Sequence, residues 1–155
     1  MVEKVIGTGS AAPDFSLKDQ NGNVVSLSNM VGTGIVLAFH PLAWTSVCTL
    51  QMQDLENNRE RLEALRAVAL GISVDSVPCK KAWARSIGVA KTPLLADFWP
   101  HGGVADLYGV FRQDDGFSER AVFILDAKGV IRFRKVYPIG ERPDIEEILR
   151  ALSGI

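Results

Sequence analysis

Cys48 closes the stretch Pro41-Leu42-Ala43-Trp44-Thr45-Ser46-Val47-Cys48, directly after the apolar run at residues 35–39 and at the start of a long helical pattern. A strand that feeds a proline turn and then a helix leaves unpaired backbone N–H groups pointing at first-turn side chains. Those groups, with the helix dipole, favour an anion. A free thiol with a pKa of about 8.5 is only a few per cent ionised at neutral pH, whereas cysteines at such positions reach roughly 3.5 to 7.5 and are largely thiolate. The chemistry this predicts is nucleophilic attack by sulfur. Without further signals, a cysteine at a helix start is also read as a small buried hydrophobe.

The elements that must position the sulfur follow from hydrophobic periodicity, which alternates between strand and helix with no internal repeat. Short strands are expected at 15–17 and 24–27, joined by a turn carrying Asn21-Gly22. Strands at 35–39 and 68–74 flank a helix whose Val47, Leu50, Leu55, Leu62 and Leu65 fall on one stripe, with Cys48 at its edge. A second helix starts near Pro78 and ends near Gly88, placing Cys79 in its first turn. Further on, 94–98 reads as strand, 104–108 as a short helix, and 120–125 and 130–136 as an antiparallel pair turning through Asp126 to Gly129. A last helix after Pro143 carries Asp144, Glu146 and Glu147 at its start and Ile145, Ile148, Leu149 and Leu152 on its apolar face. Periodicity alone gives the class α/β.

The 155 residues, 47% hydrophobic, suit one domain with a substantial core, spanning 1–155. A formal net charge of −1 leaves no cationic excess for nucleic acid. Lys80-Lys81 and Arg132, Arg134 and Lys135 read as solvated faces. No apolar stretch has the length of a signal peptide or a membrane span, so a cytoplasmic protein is expected. Two cysteines are too few for a disulfide framework, and they form no C-x-x-C pair. Together with His40 and His101 they lack the paired spacing of a structural zinc site, and neither metal nor cofactor is expected. Gly7-Thr8-Gly9 and Gly32-Thr33-Gly34 are turns rather than phosphate loops.

The pattern P-x-x-x-T-x-x-C, met by Pro41, Thr45 and Cys48, resembles the active-site loop of the peroxiredoxins of the AhpC/TSA superfamily, cysteine peroxidases on a thioredoxin-like fold. The likeness continues through residues 12–17, 94–102, 108–111 and 120–126, in the family's order, and is greatest to the alkyl hydroperoxide reductase E branch. It implies a thioredoxin-like fold, a central mixed sheet flanked by helices with an N-terminal β-hairpin extension.

It also implies roles. Cys48 is then the peroxidatic nucleophile, Thr45 hydrogen-bonds the thiolate and the peroxide, Pro41 shields the sulfur, and the N–H groups of Val47 and Cys48 orient the substrate oxygens. Arg120, at the start of the strand at 120–125, matches the arginine the family sets beside the sulfur, where a guanidinium favours thiolate. Leu42, Trp44 and Val47 would give the site an apolar mouth with room for organic hydroperoxides. The chain departs from the family at Trp44, often phenylalanine, at Ser46, often proline or glycine, and at Gln51, where a glutamate commonly orients the arginine.

Attack leaves Cys48 as sulfenic acid, which a second thiol converts to a disulfide. Some peroxiredoxins carry a resolving cysteine in the helix that holds Cys79, while many members of the E branch have none. Cys79 also shares a helical face with Trp83, four residues on, as a packed core residue would. A two-cysteine cycle would suit a thioredoxin-like reductant. A one-cysteine cycle would need a low-molecular-weight thiol or a glutaredoxin-like partner. The resemblance admits a homodimer across loops near the site. The rival functions are a disulfide oxidoreductase, disfavoured without C-x-x-C, and a redox-sensing interaction protein.

Overall fold

A computed structural model describes residues 4–155. The strands are β1 (Ser16–Lys18), β2 (Val24–Ser26), β3 (Gly34–Phe39), β4 (Ala67–Ser73), β5 (Leu94–Ala96), β6 (Phe111–Arg112), β7 (Phe117–Ser118), β8 (Arg120–Leu125) and β9 (Ile131–Tyr137). The helices are α1 (Ser46–Asn57), α2 (Arg59–Ala64), α3 (Val77–Ile87), α4 (Gly103–Leu107) and α5 (Ile145–Ser153).

Seven strands form one mixed sheet in the order β2-β1-β5-β4-β3-β8-β9. The parallel core β5-β4-β3 reads as near-continuous apolar sequence because both faces are covered. Alternating residues of β3 and β8 divide between two cores. Val36, Ala38, Val122 and Ile124 pack under α1, α3 and α5, while Ile35, Leu37, Phe39 and Phe123 pack with Tyr108 and the α4 side. The β1-β2 hairpin joins the sheet edge through β5, as expected of an N-terminal extension. Among the described residues no helix is long and apolar enough to cross a membrane.

Two expectations need correction. The long helix after Cys48 breaks at Asn58 into α1 and α2. Its buried stripe is also rotated: Cys48, Gln51, Met52 and Leu55 face the sheet, whereas Leu50 is 39% exposed and Val47 half-buried. The spacing 48, 51, 52, 55 is an ideal helical face, concealed in sequence because two of its four members are a cysteine and a glutamine. Cys48 is therefore at the centre of the packed face rather than at its edge. Gly71 of β4 permits this approach, since a Cβ there would lie 2.5 Å from Met52 Sδ and 3.4 Å from His40 Cε1. The β6-β7 hairpin had no signal beyond Gly116, whose positive φ serves its turn.

Candidate active site

The end of β3 and the start of α1 place the thiol. After Phe39 the chain runs through His40 and buried Pro41, then reverses at Trp44, whose φ of 69° is in the left-handed region, and enters α1 with Thr45 as N-cap. Thr45 makes no side-chain cap, so the first-turn N–H groups are not consumed by it. Cys48 is the third residue of that turn, free of disulfide and fully buried.

Arg120 reaches the sulfur through sheet register. β8 runs antiparallel to β3 with Ala121 opposite Phe39, so the first residue of β8 stands beside the loop that leaves β3. Its Nη1 donates to Cys48 Sγ at 3.3 Å and to Gln51 Oε1 at 2.8 Å, while Nε donates to the Ile139 carbonyl at 2.9 Å. The planar fork thus spans three acceptors, a geometry that suits arginine and not lysine. Arg120 is 2% exposed, and no carboxylate lies within ion-pair distance of it among the described residues. Its neighbour Gln51 supplies an amide oxygen but leaves its own Nε2 buried without a partner. A fixed, water-poor guanidinium against a buried sulfur can stabilise negative charge there.

The other expected residues are placed less uniformly. Pro41 is buried, Leu42 and Val47 are half-buried, and Trp44 and Thr45 are exposed. Thr45 Oγ1 donates to the Leu42 carbonyl at 2.8 Å rather than to Cys48, so its single hydroxyl proton is spent on the loop. Its expected bond to the thiolate is absent from this conformation. Cys79 is half-buried in the first turn of α3, capped through its backbone N–H by Ser76 Oγ at 3.4 Å, and packs against the core cluster that contains Cys48.

A buried polar chain that hydropathy does not mark lies behind the loop. Lys80 is not on a solvated face: it is fully buried, and only Lys81 of that pair is exposed. Its place among Trp83 and Ala84 on the inner face of α3, three and four residues apart, was the available signal. Lys80 Nζ bonds Ser73 Oγ and faces His40 Nε2 at 3.2 Å. His40 Nδ1 lies 3.3 Å from the Ala38 carbonyl. Ser73 Oγ in turn donates to Asp75 Oδ2 at 2.6 Å, and the same oxygen accepts the Ala43 N–H at 2.8 Å.

The proton positions follow from donor and acceptor capacity. An ammonium can only donate, so Ser73 and His40 Nε2 accept from Lys80, the Ser73 hydrogen points to Asp75, and His40 donates through Nδ1. Burial, then the Lys80 charge, hold His40 well below its ordinary value, consistent with a neutral ring. Burial pulls Lys80 down to about 8, against the opposing pull of Asp75 and the Cys48 and Cys79 sulfurs. Burial pushes the Cys79 thiol up; Trp44 works the other way, and the Asp75 carboxylate adds to the rise. Across the site, Trp83 Nε1 donates to Thr49 Oγ1 at 3.3 Å, tying the first turn of α1 to α3.

Known proteins resemble this chain over nearly its full length. Residues 8–134 match the model of the AhpC/TSA family. Alkyl hydroperoxide reductase E of Mycobacterium tuberculosis is 40% identical over 152 residues, 97% of this chain and 99% of that protein. Peroxiredoxin-2 of Cricetulus griseus is 34% identical over 155 residues, 94% of this chain and 77% of that one. The crystal structure of Enterococcus faecalis AhpC superposes with a TM-score of 0.87 at 29% identity, over 95% of this chain and 90% of that one.

Proposed function

This chain belongs to the AhpC/TSA family and is a thiol-dependent peroxidase on a thioredoxin-like fold, and from that premise we propose that Cys48 is the attacking sulfur and Cys79 resolves it. The observation that carries the first assignment is the Arg120 guanidinium, 3.3 Å from a buried sulfur in the first turn of α1.

In the first step the Cys48 thiolate attacks the nearer oxygen of R–O–O–H. An S–O bond forms as the O–O bond breaks, sulfur is oxidised to sulfenic acid, and the departing RO⁻ takes a proton to leave as an alcohol or water. Arg120 stabilises the anion before attack and the charge that develops on the peroxide oxygens during it. The uncapped first-turn N–H groups at Val47 and Cys48 add donors on the other side. Thr45 joins once its hydroxyl rotates from the Leu42 carbonyl. Leu42, Trp44 and Val47 line an apolar entrance that accepts hydrogen peroxide and organic hydroperoxides.

In the second step Cys79 attacks the sulfenic sulfur, giving a Cys48–Cys79 disulfide and water. The two thiols sit on first turns that pack on one core, and Thr49 and Trp83 bridge the two helices. A disulfide needs Cα atoms about 4.4–6.8 Å apart, which local unwinding of a helix start supplies. A thioredoxin-like dithiol then restores both cysteines. A homodimer fits the loops beside the site, where Trp44, Phe98 and Trp99 leave large apolar surface exposed.

Intact mass and non-reducing peptide mapping after one equivalent of peroxide test the cycle. Wild type is expected to yield a Cys48–Cys79 disulfide, and Cys79→Ser a sulfenic acid at Cys48. Sulfenic acid at Cys48 in both would make Cys79 a packing residue and the cycle a one-cysteine one served by an external thiol.

A further inference from the structure

Among the described residues, Asp75 is the one carboxylate that touches both halves of the site. Oδ2 is held by two donors, the Ala43 N–H of the loop before Cys48 and the Ser73 hydroxyl, whose orientation Lys80 fixes from behind. Oδ1 receives the Cys79 thiol, with Sγ at 3.7 Å. Trp44, held at positive φ in the same loop, acts on that sulfur in the direction that favours its anion. The Cys79 S–H therefore faces a carboxylate oxygen, the arrangement in which a neighbouring base takes the proton of a thiol as it attacks.

Resting on the reading of Cys79 as the resolving cysteine, we propose that Asp75 is the general base of the resolution step. As the Cys79 sulfur attacks Cys48, its S–H proton passes to Asp75 Oδ1. The S–S bond forms, the S–O bond of the sulfenic acid breaks, and the departing hydroxide takes the proton from Asp75 and leaves as water. No outside oxidant or reductant is consumed. Asp75 lies just ahead of Ser76, the N-cap of α3, and four residues before Cys79, so a short stretch of chain tethers base and thiol. Trp44 steadies the sulfur as negative charge builds on it. Without a base, closure has to wait for the thiol to ionise, and its surroundings resist that.

The charged and titratable groups facing the pair are Lys80 on α3 through Ser73, His40 at the end of β3, and Arg120 on β8 beyond His40; Cys48 and Asp97 act on the Lys80 charge. Lys80 changes state near pH 8 and burial keeps His40 neutral, so the interval from pH 6 to 7 lies below the Lys80 change.

The test is stopped-flow tryptophan fluorescence with excess hydrogen peroxide, with quenched samples mapped for the disulfide. Oxidation of Cys48 scales with peroxide, and closure does not. In wild type the closure rate should be flat from pH 6 to 7. In Asp75→Asn, whose amide oxygen can still accept from Ala43 and Ser73, closure should slow at least tenfold at pH 7 and rise about tenfold per pH unit. Asp75→Glu should restore the flat profile, whatever its absolute rate. Slower closure in Asp75→Asn with an unchanged, flat profile would make Asp75 a structural residue and overturn the proposal. So would closure within threefold of wild type. If wild type forms no Cys48–Cys79 disulfide, or Cys79→Ser keeps the peroxide-independent phase, the resolving reading itself fails and the Asp75 role falls with it.

Discussion

Removing Arg120 is the sharpest perturbation of the peroxide-reducing step. At the 3.3 Å separation seen here, a unit charge acting on a sulfur anion is worth about 5 kcal/mol at an effective dielectric of about 20. A hydrogen bond to a charged group contributes about 1.5–3 kcal/mol when measured by deletion. Taking about 3 kcal/mol as the part lost in Arg120→Met, the second-order rate constant with hydrogen peroxide should fall by about 10²-fold. Arg120→Lys keeps the charge but cannot reach Cys48, Gln51 and the Ile139 carbonyl together, and should lose about tenfold. The rate constant is the slope of the fast fluorescence phase against peroxide concentration. Iodoacetamide alkylation run in parallel separates loss of thiolate from loss of peroxide orientation. Arg120→Met also strands the Gln51 and Ile139 carbonyls, about 2 kcal/mol together, so each variant is assayed well below its own melting temperature. A slope for Arg120→Met within threefold of wild type would refute the reasoning, because a buried guanidinium on the reacting sulfur could not be so dispensable.

Three further outcomes are expected. The folded-state value of Lys80, about 8, lies below the ordinary 10.5, so the unfolded chain binds the extra proton between those values and stability rises with pH across that window. From pH 7 to 9 the gain is about 1 kcal/mol, or about 2–4 °C in Tm, and Lys80→Met should lack it when melting curves are compared at both pH values. Gln51→Glu replaces the orphaned amide with an acceptor and gives the unpaired Arg120 a carboxylate, so calorimetry should show a higher Tm by about 1 kcal/mol of stability. Thr45→Val should lower the peroxide rate constant by about tenfold while Thr45→Ser retains it, since both the loop bond to Leu42 and the bond to incoming peroxide need only a hydroxyl.

The elements were legible where burial and pattern coincide. The β3, β4 and β8 strands stand out as apolar runs, α5 as an amphipathic helix, and α3 through Pro78 at its start and Gly88 at its end. The site was legible in part: the turn into α1 picked out Cys48, and the likeness of the flanking strand picked out Arg120. What brings these two together is the register of β8 on β3, a long-range pairing that no local spacing encodes. The buried stripe of α1 was misplaced by one position because Cys48 and Gln51 occupy core positions without the hydropathy that normally marks them. For the same reason Lys80 passed for a surface residue. A lysine is almost never fully buried unless its charge is met, and here it is met by a serine that relays to Asp75 and by a neutral histidine, partners contributed by two segments distant in sequence. His40, Ser73 and Asp75 all lie at or just beyond the carboxyl ends of the adjacent parallel strands β3 and β4, where an open α/β sheet gathers its chemistry, and that placement was the cue within reach.

The most direct test of Cys48 as the peroxide-attacking sulfur is hydrogen peroxide consumption in the presence of dithiothreitol, measured for wild type, Cys79→Ser and Cys48→Ser. Turnover is expected in the first two, because a small dithiol can stand in for the resolving thiol, and background loss alone in Cys48→Ser. Peroxide consumption by Cys48→Ser at the wild-type rate would contradict the assignment and move the chemistry away from this sulfur.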